Sequence, residues 1–264
     1  MKIATLTLNP CIDKTLYFGG AFKVDALNRA AYAMTNAGGK GINVSKCLKN
    51  LGETSVAAMI LAGQTGDRLK HMLGELEIPV LQVSAEGQSR TNLKIIDPIR
   101  HENTDINEPG PTISEENLAE LIQKLDESIV PGDILILSGS IPKGCSSSIY
   151  RDLIQRYQNK GAQVYLDADG DNFRLGITAA PSLIKPNIDE LNRHLNANLT
   201  EVSDIAVAAK EFLKLGIREV VVSLGGDGAL LVKEGLCLKA EGLRVPVLST
   251  VGAGDSMVAA LACG

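Results

Sequence analysis

Short runs of aliphatic and β-branched residues alternate along this chain with amphipathic stretches, joined by brief segments of glycine, proline and polar residues. Residues 3–8, 55–61, 79–83, 134–137, 163–166, 183–184 and 219–224 read as strands. Residues 67–76, 114–129, 146–158 and 201–215 carry helical periodicity. Gly161 and Gly216 stop the last two, and Thr112 or Ser114 caps the second ahead of Glu115 and Glu116. A further helix opens at the glycine cluster 38–41 and stops at Gly52. Apolar strands separated by helices are buried on both faces, so the expected fold is α/β: a doubly wound, mainly parallel sheet with helices on both sides. Some segments break the pattern. Residues 15–18 and 30–35 come too early for a strand–helix–strand unit, and residues 90–96 alternate polar and apolar side chains. With a short return strand and loop over 101–111, they are expected to form a small appended sheet.

The 264 residues, 45% of them apolar, can bury one large core, and the chain is read as a single domain over 1–264. A net charge of −5 without a basic block leaves no electrostatic footprint for nucleic acid, and 3% aromatic content without Trp offers no stacking platform for bases. There is no run of 18 apolar residues, and Met1-Lys2 leads straight into a strand, so neither a membrane span nor a signal peptide is expected. Cys11, Cys47, Cys145, Cys237 and Cys263 are odd in number and lack CxxC spacing, which suits reduced thiols in a cytoplasmic protein. His71, His101 and His194 are too scattered to suggest a zinc site.

The chemistry concentrates in Ser249-Thr250-Val251-Gly252-Ala253-Gly254-Asp255-Ser256. An extended apolar lead-in over 243–248 enters a glycine-spaced turn, and residues 256–262 read as helix. The freed amides of Ala253, Gly254 and Asp255 can point at one spot, and a helix N-terminus with unpaired N–H groups is an anion site. Asp255 would repel a phosphate that was merely bound. It suits a place where a hydroxyl loses its proton while a phosphoryl group arrives; capping the helix is its other reading. A second cluster, Asn36-Ala37-Gly38-Gly39-Lys40-Gly41-Ile42-Asn43, brings backbone close to something small and polar, or simply turns the chain into a surface helix. It is not a Walker A loop, because Met34 and Gly41 stand at its first-glycine and Ser/Thr positions, and no GxGxxG occurs. The planar fork of Arg90 suits a phosphate, although a lone strand arginine is also an ordinary surface residue. Polar residues fall just after strands at Asp13, Ser138, Asp167, Asn187 and Ser223, with Asp13 placed in the loop beyond the first strand. That edge of an open α/β sheet is where ligands bind.

Five motifs in order resemble those of the ribokinase-like carbohydrate kinases, phosphofructokinase B branch. They are Thr7-Leu8-Asn9-Pro10 with Asp13; Gly38-Gly39-Lys40-Gly41-Ile42-Asn43-Val44; Ser138-Gly139-Ser140-Ile141-Pro142; Lys185-Pro186-Asn187 with Glu190; and Val251-Gly252-Ala253-Gly254-Asp255. The likeness spans essentially the whole chain. Within the branch, Asn9-Pro10-Cys11-Ile12-Asp13, the lysine of the glycine cluster and Thr104-Asp105-Ile106-Asn107-Glu108-Pro109-Gly110-Pro111 are most similar to the 1-phosphofructokinases, with the tagatose-6-phosphate kinases as neighbours.

The resemblance implies phosphoryl transfer from ATP with Mg²⁺ to a ketohexose phosphate: fructose 1-phosphate first, tagatose 6-phosphate or fructose 6-phosphate as alternatives. The small sheet, from strands at about 14–35 and 89–106, would act as a lid and in many relatives as a homodimer interface. Asp255 would be the base, and the amides of Gly252, Ala253 and Gly254 would hold the developing charge. Asp13 and Asn43 would take sugar hydroxyls, with Gly38, Gly39, Asn92 and Ser138 lining the same pocket. Lys40 and Arg90, and more weakly Arg29, would sit near the sugar phosphate. Lys185 would meet ATP phosphates, Asn187 and Glu190 would hold the metal largely through water, and Ser223, Gly225, Gly228 and Ser249 would belong to the nucleotide site. Asn187 with Glu190 also reads as a helix cap, and the glycines at 225–228 as a hairpin turn. Many relatives carry Asp where Ser249 stands and continue for a few dozen residues past the position of Gly264, so part of the adenine pocket is expected to be missing. A catalytically weak sugar-phosphate-binding protein on the same fold is the reading from another class. A nucleoside or ribose kinase is disfavoured, because a neutral substrate needs no Lys40 and Arg90.

Overall fold

β1 (Ile3–Thr7) is buried at all five positions and pairs in parallel with a strand on each side, which is why its run is hydrophobic without alternation. It is the pivot of the computed structural model, which describes residues 1–245 and 252–264. The chain leaves β1 into β2 (Cys11–Phe18), β3 (Ala30–Gly38), α1 (Lys40–Asn50), β4 (Ser55–Ala62), α2 (Gly63–Glu75) and β5 (Val80–Ala85). Next come β6 (Arg90–Asp97), β7 (Glu102–Ile106), α3 (Glu115–Ser128), β8 (Ile134–Ser138), α4 (Ile149–Asn159), β9 (Gln163–Asp167), α5 (Gly170–Gly176) and β10 (Leu183–Ile184). α6 (Ile188–Leu195), α7 (Val202–Leu213), β11 (Glu219–Ser223), β12 (Ala229–Lys233), β13 (Leu236–Ala240) and α8 (Ala253–Cys263) complete it.

Nine strands form the large sheet among the described residues, in the order β13-β12-β11-β10-β9-β8-β1-β4-β5. Neighbours from β5 to β11 are parallel, while β12 and β13 are antiparallel additions. The winding reverses between β1 and β8, and the crevice at the carboxyl ends of these strands is the place where such a sheet takes ligands. On one face, Leu121, Tyr150, Tyr157, Phe173, Leu191 and Phe212 from α3 to α7 pack on Leu6, Leu135, Leu137 and Val164. On the other, Val44 and Leu48 of α1 and Val258 and Ala262 of α8 cover Ile3, Ile134 and Ile136, with Leu69 and Leu73 of α2 on Ala57 and Met59. The doubly wound α/β fold read from the sequence is the one observed.

The small sheet has the order β3-β2-β6-β7, parallel between β2 and β6 and antiparallel at its two outer pairs. Its β7 is exposed throughout. One expectation needs correction. Asp13 lies not in a loop but within β2, paired with Asn36 on one side and Asn92 on the other. Only Leu8, Asn9 and Pro10 separate β1 from β2, so the chain passes from one sheet to the other almost without a join. The buried Asp97 carboxylate accepts from the backbone N–H groups of Phe22, Ile99 and Arg100, tying the β2–β3 connection to the β6–β7 turn.

Candidate active site

Gly252 precedes α8 with φ 80°, a left-handed turn that glycine makes without penalty. Ala253, Gly254 and Asp255 are therefore the first three helical residues, and their amides have no acceptor inside the helix. Asp255 does not cap α8. Its carboxylate Oδ2 instead accepts from Asn43 Nδ2 at 2.9 Å, and the residue is only 6% exposed. Burial drives the Asp255 pKa above the usual carboxylate range. The Asn43 amide pulls it back, Asp167 pushes it up, and Lys40 and Lys185 pull it down, leaving it raised. A carboxylate made more basic in this way is suited to taking a proton. Ser249, with residues 246–248 of the lead-in, lies outside the described residues.

Beside this helix end opens a cavity of about 580 Å³. Asn43, Lys46, Cys47, Gly252 and Ser256 line it from the main body, and Asp13, Thr15, Tyr17, Asn92, Lys94 and Asp105 line it from the small sheet. Asp13 Oδ1 accepts from Asn92 Nδ2 and from Cys11 Sγ, each at 3.2 Å. Gly38 allows this packing, since a Cβ there would stand 2.1 Å from Asp13 Oδ2; at Gly39 (φ 112°) a Cβ would stand 2.8 Å from Thr7 Cγ2. Arg90 is outside the cavity wall. Its Nε and Nη2 donate to the Asn9 carbonyl at 3.2 and 3.1 Å, and Nη1 donates to the Glu108 carbonyl at 3.4 Å. Arg29 is exposed in the β2–β3 connection.

Polar atoms without partners gather at this sheet edge. Thr7 Oγ1, Asn9 Oδ1, Asn92 Oδ1, Ser138 Oγ and Asp167 Oδ2 are all buried and make no hydrogen bond. Such orphans are uncommon and mark groups waiting for a ligand or water. Asp167, at the end of β9, is 2% exposed, and its Oδ1 lies 3.3 Å from Lys40 Nζ and 3.4 Å from Lys185 Nζ. Burial acts to lower the Lys40 pKa, but Asp167, Glu190 and Asp255 outweigh it and leave the ammonium more firmly protonated than usual. A Cβ on Gly254 would stand 3.2 Å from Lys185 Nζ, so this lysine abuts the first turn of α8.

Asn187 and Glu190 form a reciprocal capping box on α6, Glu190 N to Asn187 Oδ1 and Asn187 N to Glu190 Oε2, each 2.8 Å. Ser223 bridges to the same corner, its N–H donating to Pro186 O at 3.1 Å. Gly225 and Gly228 (φ 61° and 94°) shape the β11–β12 hairpin, and Gly228 packs on the Ala240 carbonyl. Thr15, Tyr17, Lys46, Lys94 and Asp105 line the cavity although the sequence reading assigns them no site role. Asp167 is flagged only as a carboxylate at a strand end, and Cys11, which donates to Asp13, carries no signal.

A family model described as pfkB family carbohydrate kinase matches residues 6–264. The chain is 36% identical over 263 residues to a 1-phosphofructokinase of Rhodobacter capsulatus, covering 99% of this chain and 83% of that protein. It is 33% identical over 271 residues to a tagatose-6-phosphate kinase of Staphylococcus epidermidis, covering 99% and 84%. The crystal structure of phosphofructokinase-2 from Escherichia coli in complex with substrates and products superposes with a TM-score of 0.95 at 33% identity, covering 100% of this chain and 86% of that one. The tetrameric inhibited form of that enzyme gives 0.93 at 33% identity, covering 99% and 86%.

Proposed function

The chain belongs to the pfkB family of carbohydrate kinases, and on that premise we propose that it phosphorylates fructose 1-phosphate to fructose 1,6-bisphosphate with ATP as donor. At the coarser level it is an ATP-dependent kinase of ketohexose phosphates. The observation that carries the reading is Asp255: a buried, proton-seeking carboxylate in the first turn of α8, hydrogen-bonded to Asn43, which together with Asp13 lines the cavity beside this turn.

In this reading, Asp13, Asn43 and Asn92 hold sugar hydroxyls, with Gly38 and Gly39 keeping the backbone close and Ser138 offering its unpartnered hydroxyl. Asp255 takes the proton of the attacking hydroxyl, and Asn43 fixes the orientation of the carboxylate. The amides of Gly252, Ala253 and Gly254 receive charge on the group in transfer, at the positive end of α8. Arg90 and Lys40 serve phosphate oxygens, Lys185 serves ATP, and Ser223, Gly225, Gly228 and Ser249 belong to the nucleotide wall.

The donor set fits a hard divalent cation. Glu190 keeps Oε1 outside the capping box, and an ion of this kind takes few protein oxygens and retains much of its water. Asn187 and Glu190 would hold Mg²⁺, which supplies neutralisation of phosphate charge.

Exposed Tyr32, Met34 and Ile106 on the small sheet support a homodimer through that surface, and the sheet would serve as a lid over the sugar. The five cysteines are free, which suits the cytoplasm, and no helix of the described residues is long and apolar enough to cross a membrane.

The test is ADP release with Mg²⁺ and ATP against fructose 1-phosphate, tagatose 6-phosphate, fructose 6-phosphate and fructose. Highest kcat/KM with fructose 1-phosphate is expected. Preference for tagatose 6-phosphate would move the assignment to that kinase, and silence with all four would overturn the kinase reading.

A further inference from the structure

Two lysines share one buried carboxylate oxygen at the sheet edge. Asp167 and Lys185 sit at the ends of neighbouring parallel strands, where Leu166 pairs with Ile184, and both are almost fully buried, at 2% and 4%. Lys40 opens α1 directly after Gly39 and reaches the same Oδ1 from the other side, at 3.3 Å against 3.4 Å for Lys185. Asp255 and Glu190 lie within electrostatic reach of this group, so the two ammonium groups are held beside the carboxylates of the site. The first turn of α8, with its positive end, lies against Lys185 at Gly254. Asp167 also keeps Oδ2 buried without a partner, so the carboxylate holds its position although half of its hydrogen-bonding capacity is unused.

The side on which this cluster lies decides which anion it serves. The cavity shared by Asp13 and Asn92 is lined by Lys46 and Lys94, and neither Lys40 nor Lys185 is part of that lining. Lys40 instead faces Asp167, within the electrostatic reach of Asp255 and Glu190. We infer that Asp167 is a positioning residue that holds Lys40 and Lys185 as a pair of cations on the transferred phosphoryl group, and that Lys40 therefore serves this group rather than the substrate's own phosphate. The inference rests on the kinase reading above. In the step concerned, the sugar oxygen forms a bond to the γ-phosphorus, the bond from that phosphorus to the oxygen of ADP breaks, and the sugar hydroxyl proton passes to Asp255. The charge spread over the three equatorial oxygens is what the two ammonium groups meet.

The test uses the full chain and whichever ketohexose phosphate the wild type turns over. Lys40→Met is expected to lower kcat at least about tenfold while the Kd of the sugar phosphate, read by calorimetry without nucleotide, stays within about threefold. Asp167→Asn is expected to lower kcat similarly. The double variant is expected to be no slower than about the worse single one, because both changes disable one clamp. A sugar-phosphate Kd weakened more than about tenfold in Lys40→Met with kcat retained would assign Lys40 to the substrate's phosphate and overturn the inference. Full additivity in the double variant would overturn the role of Asp167. If Asp167→Asn does not fold, Lys40→Met, Lys185→Met and their double carry the test, with independent effects overturning the pairing. A wild type that neither binds nor turns over any ketohexose phosphate would overturn the kinase reading itself; failure of the inference alone leaves wild-type turnover intact.

Discussion

Asp255 is held where its charge is unfavourable, and stability and the proposed catalytic role pull in opposite directions there. Its folded pKa lies above the ordinary 3.8, so its contribution to stability is fully present below that value and is lost as pH rises through the folded pKa. At neutral pH the ionised carboxylate therefore destabilises the fold. Asp255→Asn is expected to raise Tm at pH 7, with the gain vanishing in acid, while kcat falls about 10²–10⁴-fold, or roughly 3–5 kcal/mol of barrier. Scanning calorimetry at two pH values and a turnover assay check both halves. For the same reason, wild-type kcat is expected to lose activity on the acid side as Asp255 takes up its proton. Cys11 has the contrasting role. Burial first, then the Asp13 carboxylate, push its thiol up to about 12, so it stays a hydrogen-bond donor to Asp13 at neutral pH. In the native chain a thiol reagent is expected to label exposed Cys237 and leave Cys11 untouched until denaturant is added, as read by mass spectrometry.

Among the elements, the regular α/β units were legible in the sequence because burial on both faces leaves long apolar runs. The large-sheet strands β1, β4, β5, β8, β9, β10 and β11 are where those runs predict them. β2 was read too short at its start, from Thr15 instead of Cys11, because Asp13 and Lys14 lack strand character; pairing with both β3 and β6 makes them a strand regardless. α5 spans seven residues, too few to show a period, and β13 mixes Lys239 and Cys237 into an edge position. At the site, glycine turns flag Asn43 and Asp255, and Asp13 is flagged as a carboxylate soon after the first strand. Asp167 could not be assigned, since Lys40 lies 127 residues away in sequence and no local pattern joins them. The start of α6 had two readings. The capping box is present, and Glu190 keeps Oε1 outside it, where the proposed Mg²⁺ would meet it. Asn187→Ala is expected to cost about 1 kcal/mol in a denaturant titration and to raise the Mg²⁺ concentration needed for half-maximal rate.

At the scale of the whole molecule, the exposed apolar side chains of the small sheet make association the expected state in solution. Met34→Glu is expected to shift the mass in sedimentation velocity from dimer toward monomer, and an unchanged monomer in both would remove the proposed interface. The three-residue join between β1 and β2 has its own consequence. Gly38 and Gly39 likewise run from β3 straight into α1, so two of the four connections between the small sheet and the body, the β5–β6 and β7–α3 segments being the others, carry residues proposed for the sugar. If Asp13 on one part and Asn43 on the other hold the hexose as proposed, it would act as a rivet, and part of its affinity would be spent on bringing the two walls into alignment. A stripped-down sugar with fewer grips on the outer wall would therefore be turned over more slowly even at saturation: the loss would appear as idle complexes, not only as empty ones.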